Sequence, residues 1–251
     1  MTAWSIDPYV IGACVLTLAF YRLRYRRMSG LFVVAVAIVF LALASPIATL
    51  ANGVLFSAHM LQHLLLVLIV PPLVLWSLPP ATDPPSVRSA SPWLWTWLAG
   101  VGAMWLWHLP SLCDLATQSL AVQRVQTVSL LGMGTAFWWP IYAPRPTQRL
   151  PAFGGIAYLF TACIACTLLG ILVTFSPVQV CAIYARPAAS LVREGLGLSS
   201  KADQELGGLM MWVPGCLVYA GTILGLLARY YREDDAPVDV MDAIDALEKG
   251  T

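Results

Sequence analysis

Charged side chains are scarce in this chain. Only 11% of its 251 residues are Asp, Glu, Lys or Arg, whereas 59% are hydrophobic and the mean hydropathy is +0.75. A soluble domain carries roughly a quarter charged residues, so the composition excludes an ordinary soluble protein and predicts an integral membrane protein in contact with a lipid bilayer. The formal net charge of +1 gives no reason to expect a nucleic acid partner.

Signatures of several other protein classes are also missing. The first ten residues, MTAWSIDPYV, contain no basic region, and the first positive cluster follows the first apolar run, which predicts an uncleaved first transmembrane helix. No hydrolytic triad, phosphate-binding loop or dinucleotide fingerprint is recognisable, so we do not expect an enzyme. The six cysteines lie mostly inside apolar stretches, which argues against a disulfide framework.

Long apolar runs fill most of the chain and predict an all-α bundle of about seven transmembrane helices, each near the ~20 residues that a bilayer requires. The predicted spans are Asp7–Tyr21, Gly30–Leu50, Ala58–Leu78, Pro92–Leu109, Val122–Tyr142, Phe153–Phe175 and Gly207–Tyr230. They would form a single domain over residues 1–232, followed by a short cytoplasmic tail over 233–251. Because Pro71 and Pro72 interrupt the third span, we expect a kink or break there, with neighbours covering the freed carbonyl groups.

Basic residues predict the orientation of the bundle. Arg22, Arg24, Arg26 and Arg27 form the densest positive cluster and follow the first span, so this connection should be cytoplasmic. With seven spans, the N-terminus then lies outside and the C-terminus in the cytoplasm.

Histidine is rare, and its positions are the main functional signal. Two of the three histidines, His59 and His63, are four residues apart at the start of the third span. On a helix this spacing places both imidazoles on one face, one turn apart. Met60 lies between them, and His108 ends the fourth span. Under the predicted topology all of these residues lie at the outer face.

Further candidate ligands open the seventh span at the same face. They are Asp203, Met210 and Met211. Imidazole nitrogens combined with thioether sulfur suit copper, with zinc as the competing metal. Histidines at helix ends also occur at the lipid headgroup interface, however, and methionines often only fill gaps in packing. Asp203 has two interpretations: it could cap the seventh helix, or it could contact a cation or a histidine.

The cysteines allow similar alternatives. Cys113 and Cys181 lie near the outer surface and could pair or bind metal. Cys163 and Cys166 share a helix face in the sixth span, where small residues often allow close helix packing, and Cys216 lies about a turn below Met211.

Several segments together resemble one known family. They are Phe56–Leu66, Pro71-Pro72, Trp107–Pro110, Phe137–Pro140, Thr174–Pro177 and Asp203–Gly215. Their order and sequence, from about Ser45 to Tyr219, are similar to those of the CtaG-like membrane proteins, which are linked to assembly of caa-type cytochrome c oxidase.

The resemblance implies a multi-pass protein of the bacterial inner membrane that acts in the biogenesis of a haem-copper oxidase, through delivery of copper to its catalytic subunit. By position, His59, His63 and His108 match family histidines, and Asp203 and Gln204 match an acidic-amide block. The partners would be haem-copper oxidase subunits, and copper would be bound transiently.

The resemblance has one departure, at the start of the fifth span. Family members carry further histidines there, whereas this chain reads VQRVQTVS from Val122 to Ser129. Two other functions therefore stay open: a permanent accessory subunit of a respiratory oxidase without its own metal, and a b-type haem protein that uses two of the three histidines.

Overall fold

The computed structural model describes residues 4, 5, 7–82, 93–186 and 192–234, and this part of the chain is helical with no strand. The helices are α1 (Pro8–Tyr25), α2 (Gly30–Ala44), α3 (Pro46–Ala51), α4 (Phe56–Leu64), α5 (Val70–Ser77), α6 (Trp93–Trp107), α7 (Pro110–Gln118), α8 (Leu120–Tyr142), α9 (Ala152–Phe175) and α10 (Ser200–Asp234). A π-helical turn, Leu65–Ile69, joins α4 to α5. The predicted all-α class is confirmed.

The structure confirms that the chain is a membrane protein, but it does not confirm seven spans. Within the described ranges, three helical segments are long and apolar enough to cross a membrane: Phe56–Ser77, Ala152–Phe175 and Ser200–Arg232. Gly30–Ala44 is apolar but shorter. The number of spans and the orientation stay predictions. Pro92 and most of the predicted tail, from residue 235 onwards, lie outside the described residues.

The second predicted span differs from the structure because it is divided at Ser45. Proline disfavours helical backbone angles in the residue before it, and Ser45, which precedes Pro46, is extended with φ −80° and ψ 177°. Its hydroxyl then accepts a hydrogen bond from the backbone N–H of Ile47 and begins α3. The chain therefore turns at this point, where the sequence analysis expected one continuous helix.

The proline pair of the third span produces a local irregularity and not a break. Pro71 has no N–H to bond the carbonyl of Val67, four residues earlier. The π-helical turn immediately precedes it, and the indole Nε1–H of Trp138 on α8 donates to the Val67 oxygen at 2.9 Å. The expectation that a neighbour covers the freed carbonyl is confirmed, and Phe56–Ser77 continues as one helical segment.

Contacts between helix ends define the two ends of the bundle. At one end, the hydroxyl of Tyr21 at the close of α1 donates to the carbonyl of Ser77 at the close of α5. At the other end, Arg124 near the start of α8 is 3.2 Å from Asp7, which precedes α1. We call this second end the histidine end, because the starts of α4 and α10 and the close of α6 also lie there.

Two glycines allow α10 to approach its neighbours closely. A Cβ at Gly207 would come within 2.5 Å of the Phe56 ring on α4, and one at Gly208 would lie 2.8 Å from the backbone nitrogen of Thr174 on α9. A larger residue at Gly208 would push α10 away from the backbone of α9, and one at Gly207 would displace the Phe56 ring, so these glycines permit the close approach of α10 to the start of α4 and the close of α9.

The indole cap on the Val67 carbonyl can be tested by substituting Trp138 with Phe. This change keeps most of the apolar volume but leaves the buried carbonyl unpaired, which should lower the free energy of unfolding by about 1–3 kcal/mol. The measurement is the thermal unfolding midpoint in detergent. Trp95→Phe is the control, because Trp95 is 71% exposed; equal midpoints for the two variants would contradict the assignment.

Candidate functional site

The three histidines, which we call the histidine cluster, lie together at the histidine end. The ring centroids of His59 and His63 are 4.3 Å apart, which places both on one face of α4, as their spacing predicts. His108, between α6 and α7, brings its ring centroid to 5.5 Å from that of His63. Each of the three is at most 5% exposed. His108 lies at least 45 positions from the two histidines of α4 in the sequence, yet all three form one buried group of imidazoles.

His108 and Met60 present two electron-pair donors to each other. His108 Nδ1 lies 2.5 Å from the carbonyl oxygen of Met104, and this nitrogen must carry the proton because a carbonyl can only accept. The lone pair of Nε2 then faces the sulfur of Met60, 3.2 Å away. A nitrogen lone pair and a thioether that meet in a buried site are suited to share a soft cation.

Several nitrogens of the histidine cluster have no hydrogen bond. They are Nε2 of His59 and both ring nitrogens of His63, which form no hydrogen bond of acceptable geometry within the described residues, although the Gln126 amide lies beside the His63 ring. An unpaired buried polar atom costs about 1–3 kcal/mol. A cation binds only an unprotonated nitrogen, and a neutral His63 has one, so a metal ion would satisfy at most one of its two ring nitrogens. These atoms make the cluster a candidate site for a metal ion such as copper. In the same ranges, no group of three or more His, Cys, Asp or Glu side chains is arranged as a metal site.

Asp203 anchors the helix that carries the histidines. Its Oδ2 accepts the backbone N–H of Phe56 at 2.7 Å, and its Oδ1 accepts both the N–H and the hydroxyl of Ser57. The carboxylate is fully buried and caps the positive end of α4. The sequence analysis considered a cap on the seventh helix or contact with a cation or histidine; the observed cap is on α4, so we assign Asp203 a positioning role.

The two adjacent methionines of α10 differ in their surroundings. Met211 is buried and lines a small cavity together with Met60 and His63. Met210 is partly exposed and does not line it. The helical rotation between neighbouring residues thus separates two candidates that the sequence alone treats alike.

A tethered loop covers the histidine end. Cys113 on α7 and Cys181 after α9 form a disulfide, which decides between the two alternatives for this pair. Tyr184, in the same loop, places its ring centroid 6.0 Å from that of His59 and donates its hydroxyl to the Ala51 carbonyl. Burial raises the pKa of this hydroxyl, so it stays protonated as a donor. Arg193 donates to the carbonyl of Tyr184.

A larger cavity reaches the histidine cluster from the side. It has a volume of about 590 Å³ and lies between α1, α2, α5 and α8. His63 and Gln126 are part of its wall, and the Asp7–Arg124 ion pair lies at its partly exposed end. His63 also lines the small cavity on the other side of α4. A small solute in the larger cavity would therefore meet His63 directly.

Comparison with known proteins adds an independent result. The family described as cytochrome c oxidase caa3 assembly factor (Caa3_CtaG) matches residues 9–233. The chain belongs to this family. The match extends beyond the segments that carry the resemblance in the sequence, at both ends. No curated protein and no solved structure matches the chain significantly.

Gln126 is a residue of this Caa3_CtaG member that the sequence analysis did not single out. It lies within the VQRVQTVS segment, is 3% exposed, and its amide is beside the His63 ring. Gln126 thus brings an amide to the histidine cluster from a segment in which the resemblance led us to expect histidines. A buried polar residue inside an apolar helix was the available signal. Tyr184 carried no such signal, because its role depends on distant partners, and Met104 contributes a backbone carbonyl, which its residue type does not reveal.

The cap on α4 is tested by Asp203→Ala. Loss of three hydrogen bonds at the helix start should lower the free energy of unfolding by about 2 kcal/mol and accelerate hydrogen exchange at the amides of Phe56 and Ser57. Hydrogen exchange, resolved along the chain by mass spectrometry, measures both the loss of stability and the faster exchange at the start of α4. Glu205→Ala is the control. This carboxylate is on the same helix turn, but it pairs with the exposed Lys201, at 3.8 Å, and not with the start of α4. Unchanged exchange in Asp203→Ala would rule out the cap.

Proposed function

We propose that this chain is an oxidase-assembly factor that binds copper at the histidine cluster and passes it to a haem-copper oxidase subunit. Family membership supports the role in cytochrome c oxidase assembly. The observation that carries the copper proposal is the facing pair of donors, Nε2 of His108 and the sulfur of Met60, beside the unpaired nitrogens of His59 and His63.

The donor chemistry favours Cu(I). Thioether sulfur and imidazole nitrogen are soft or intermediate ligands, and both are neutral. A neutral donor set that receives one monovalent cation places a single positive charge in the buried site, whereas a divalent ion would place two. Met211 is a further neutral donor on the same side of α4.

Two features at opposite ends of the bundle support one orientation in the membrane. Disulfides persist in oxidising compartments, and the Cys113–Cys181 bridge lies at the histidine end. The arginines that follow Tyr21 are exposed at the other end, where the positive-inside rule places the cytoplasm. We therefore propose a seven-helix protein of the bacterial inner membrane, with the N-terminus and the histidine cluster on the periplasmic side.

The copper proposal predicts the effect of His59→Ala/His63→Ala. We expect the purified variant to lose the copper bound by the wild-type protein, and a strain that carries it to make oxidase with less copper per haem. Metal analysis of both proteins measures this. The amount of variant in the membrane is determined in parallel, so that misfolding is recognised. A wild-type ratio of copper to haem in the oxidase, with the variant present at wild-type level, would contradict the proposal.

A second function is favoured by the incomplete donor set. The segment from Val122 to Ser129 lacks the histidines expected from the resemblance, and the described part of the chain holds no three-residue metal group. A permanent accessory subunit of the oxidase would need no metal of its own. It would co-purify with the oxidase in a fixed ratio through detergent and salt, whereas a transient carrier would be lost at high salt.

A further inference from the structure

A small cavity beside the histidine cluster is unusually rich in sulfur. Methionine and cysteine make up 14 of the 251 residues, yet they account for four of the ten that line this cavity. The four are Met60, Met104, Met211 and Cys166, contributed by α4, α6, α10 and α9. Because four separate helices each direct a sulfur-bearing residue to one place, the enrichment does not follow from the composition of a single segment.

The size and polarity of this cavity suit a single bound ion. Its volume is about 20 Å³, enough for one water molecule or one ion. A buried water needs two to four polar partners, and besides sulfur and aliphatic groups the lining offers the minimum of two polar side chains, His63 and Tyr219. Thioethers and a thiol are poor hydrogen-bond partners and good ligands for Cu(I). The cavity thus fits a soft cation better than it fits water.

Further cysteines continue this arrangement into the bundle. Cys166 lies 3.8 Å from the hydroxyl of Tyr219, and three residues before it on α9 is Cys163. The sulfur atoms of Cys163 and Cys216 are 3.0 Å apart, and both thiols are free. Cys216 is five residues after Met211, which is about 7.5 Å further along the helix. We call this set the sulfur row: Met60, Met104, Met211, Cys166, Cys163 and Cys216.

Exposure changes along the sulfur row. Met60, Met211 and Cys166 are buried, whereas Cys163 and Cys216 are partly exposed on the outer side of the α9–α10 pair. The flanking Ile164 and Leu217 are 46% and 69% exposed. The row therefore begins at the covered histidine cluster and ends near the side surface of the bundle, which faces the lipid.

We infer that the sulfur row is a second binding site for Cu(I), in which Cys163 and Cys216 hold the ion that the thioethers receive from the histidine cluster. The inference rests on the proposed function, because it assigns the same cargo. Copper remains Cu(I) throughout, so no oxidant or reductant is required. When the ion binds, a Cu–S bond forms at one thiol, its S–H bond breaks and the proton is released to water. One positive charge replaces another, and the buried site stays neutral.

Cu(I) titration of the reduced, full-length protein tests the site. Stoichiometry is measured against a chromogenic Cu(I) chelator without oxygen, and X-ray absorption gives the ligand atoms. We expect Cys163→Ala/Cys216→Ala to bind one equivalent less than wild type and to lose the all-sulfur signal. Cys14→Ala is the control, because Cys14 is a free thiol on α1, away from the sulfur row.

Failure of this inference can be told apart from failure of the proposed function. If His59→Ala/His63→Ala keeps all its copper while the cysteine variant loses one equivalent, the histidine site is wrong and the sulfur site stands. Wild-type stoichiometry and ligation in the cysteine variant would overturn the sulfur site. It would also be overturned if Cys163 and Cys216 formed a disulfide in air but bound no Cu(I) when reduced.

The adjacent methionines of α10 test transfer along the sulfur row. Met211→Leu removes a thioether from the cavity while keeping its volume, so Cu(I) should reach the cysteine pair at least about tenfold more slowly, the loss expected for one weakened contact of about 1.4 kcal/mol. Met210→Leu is the matched control and should leave the rate unchanged. Equal rates in both variants would overturn the route through Met211.

Discussion

The site depends on the burial of one carboxylate at the start of a helix. The carboxylate of Asp203 is fully enclosed and accepts three hydrogen bonds from Phe56 and Ser57. Because these residues begin α4, the carboxylate fixes the first turn of the helix that carries His59 and His63. The next residue, Gln204, ties the same part of α10 to the loop after α9, since its side chain bonds the backbone of Val173, Val178 and Val180. One pair of polar side chains thus holds three elements at the histidine end.

Close helix packing and a covered backbone carbonyl elsewhere in the bundle support this arrangement. Gly207 and Gly208 bring α10 against α4 and α9, so that the carboxylate can reach the helix start without being exposed to solvent. The indole of Trp138 covers the carbonyl that Pro71 leaves free and keeps the third span continuous below the histidines. His63 therefore lies on a fixed helix between two cavities, one large and partly polar, the other small and rich in sulfur.

Local patterns in the sequence were sufficient for some of these features. The spacing of His59 and His63 determines their common face, and the missing N–H of Pro71 implies that a neighbour must cover the carbonyl. The division at Ser45 was also predictable, because the angles of a residue before proline are restricted. The features that could not be predicted all depend on distant partners. Asp203 and the start of α4 are 146 residues apart, and nothing near Met104, Cys166 or Cys216 indicates that they converge. The choice between pairing and metal binding for Cys113 and Cys181 likewise depended on the fold.

The disulfide between Cys113 and Cys181 has a consequence for the order of events during biogenesis. The two cysteines are 68 residues apart, with α8 and α9 between them. The bridge cannot form before both later helices have been synthesised and the second cysteine has crossed to an oxidising compartment. Until then, only hydrogen bonds, such as the one from Tyr184 to Ala51, hold the loop over His59. Covalent closure of the histidine end is thus a late step in the assembly of the bundle.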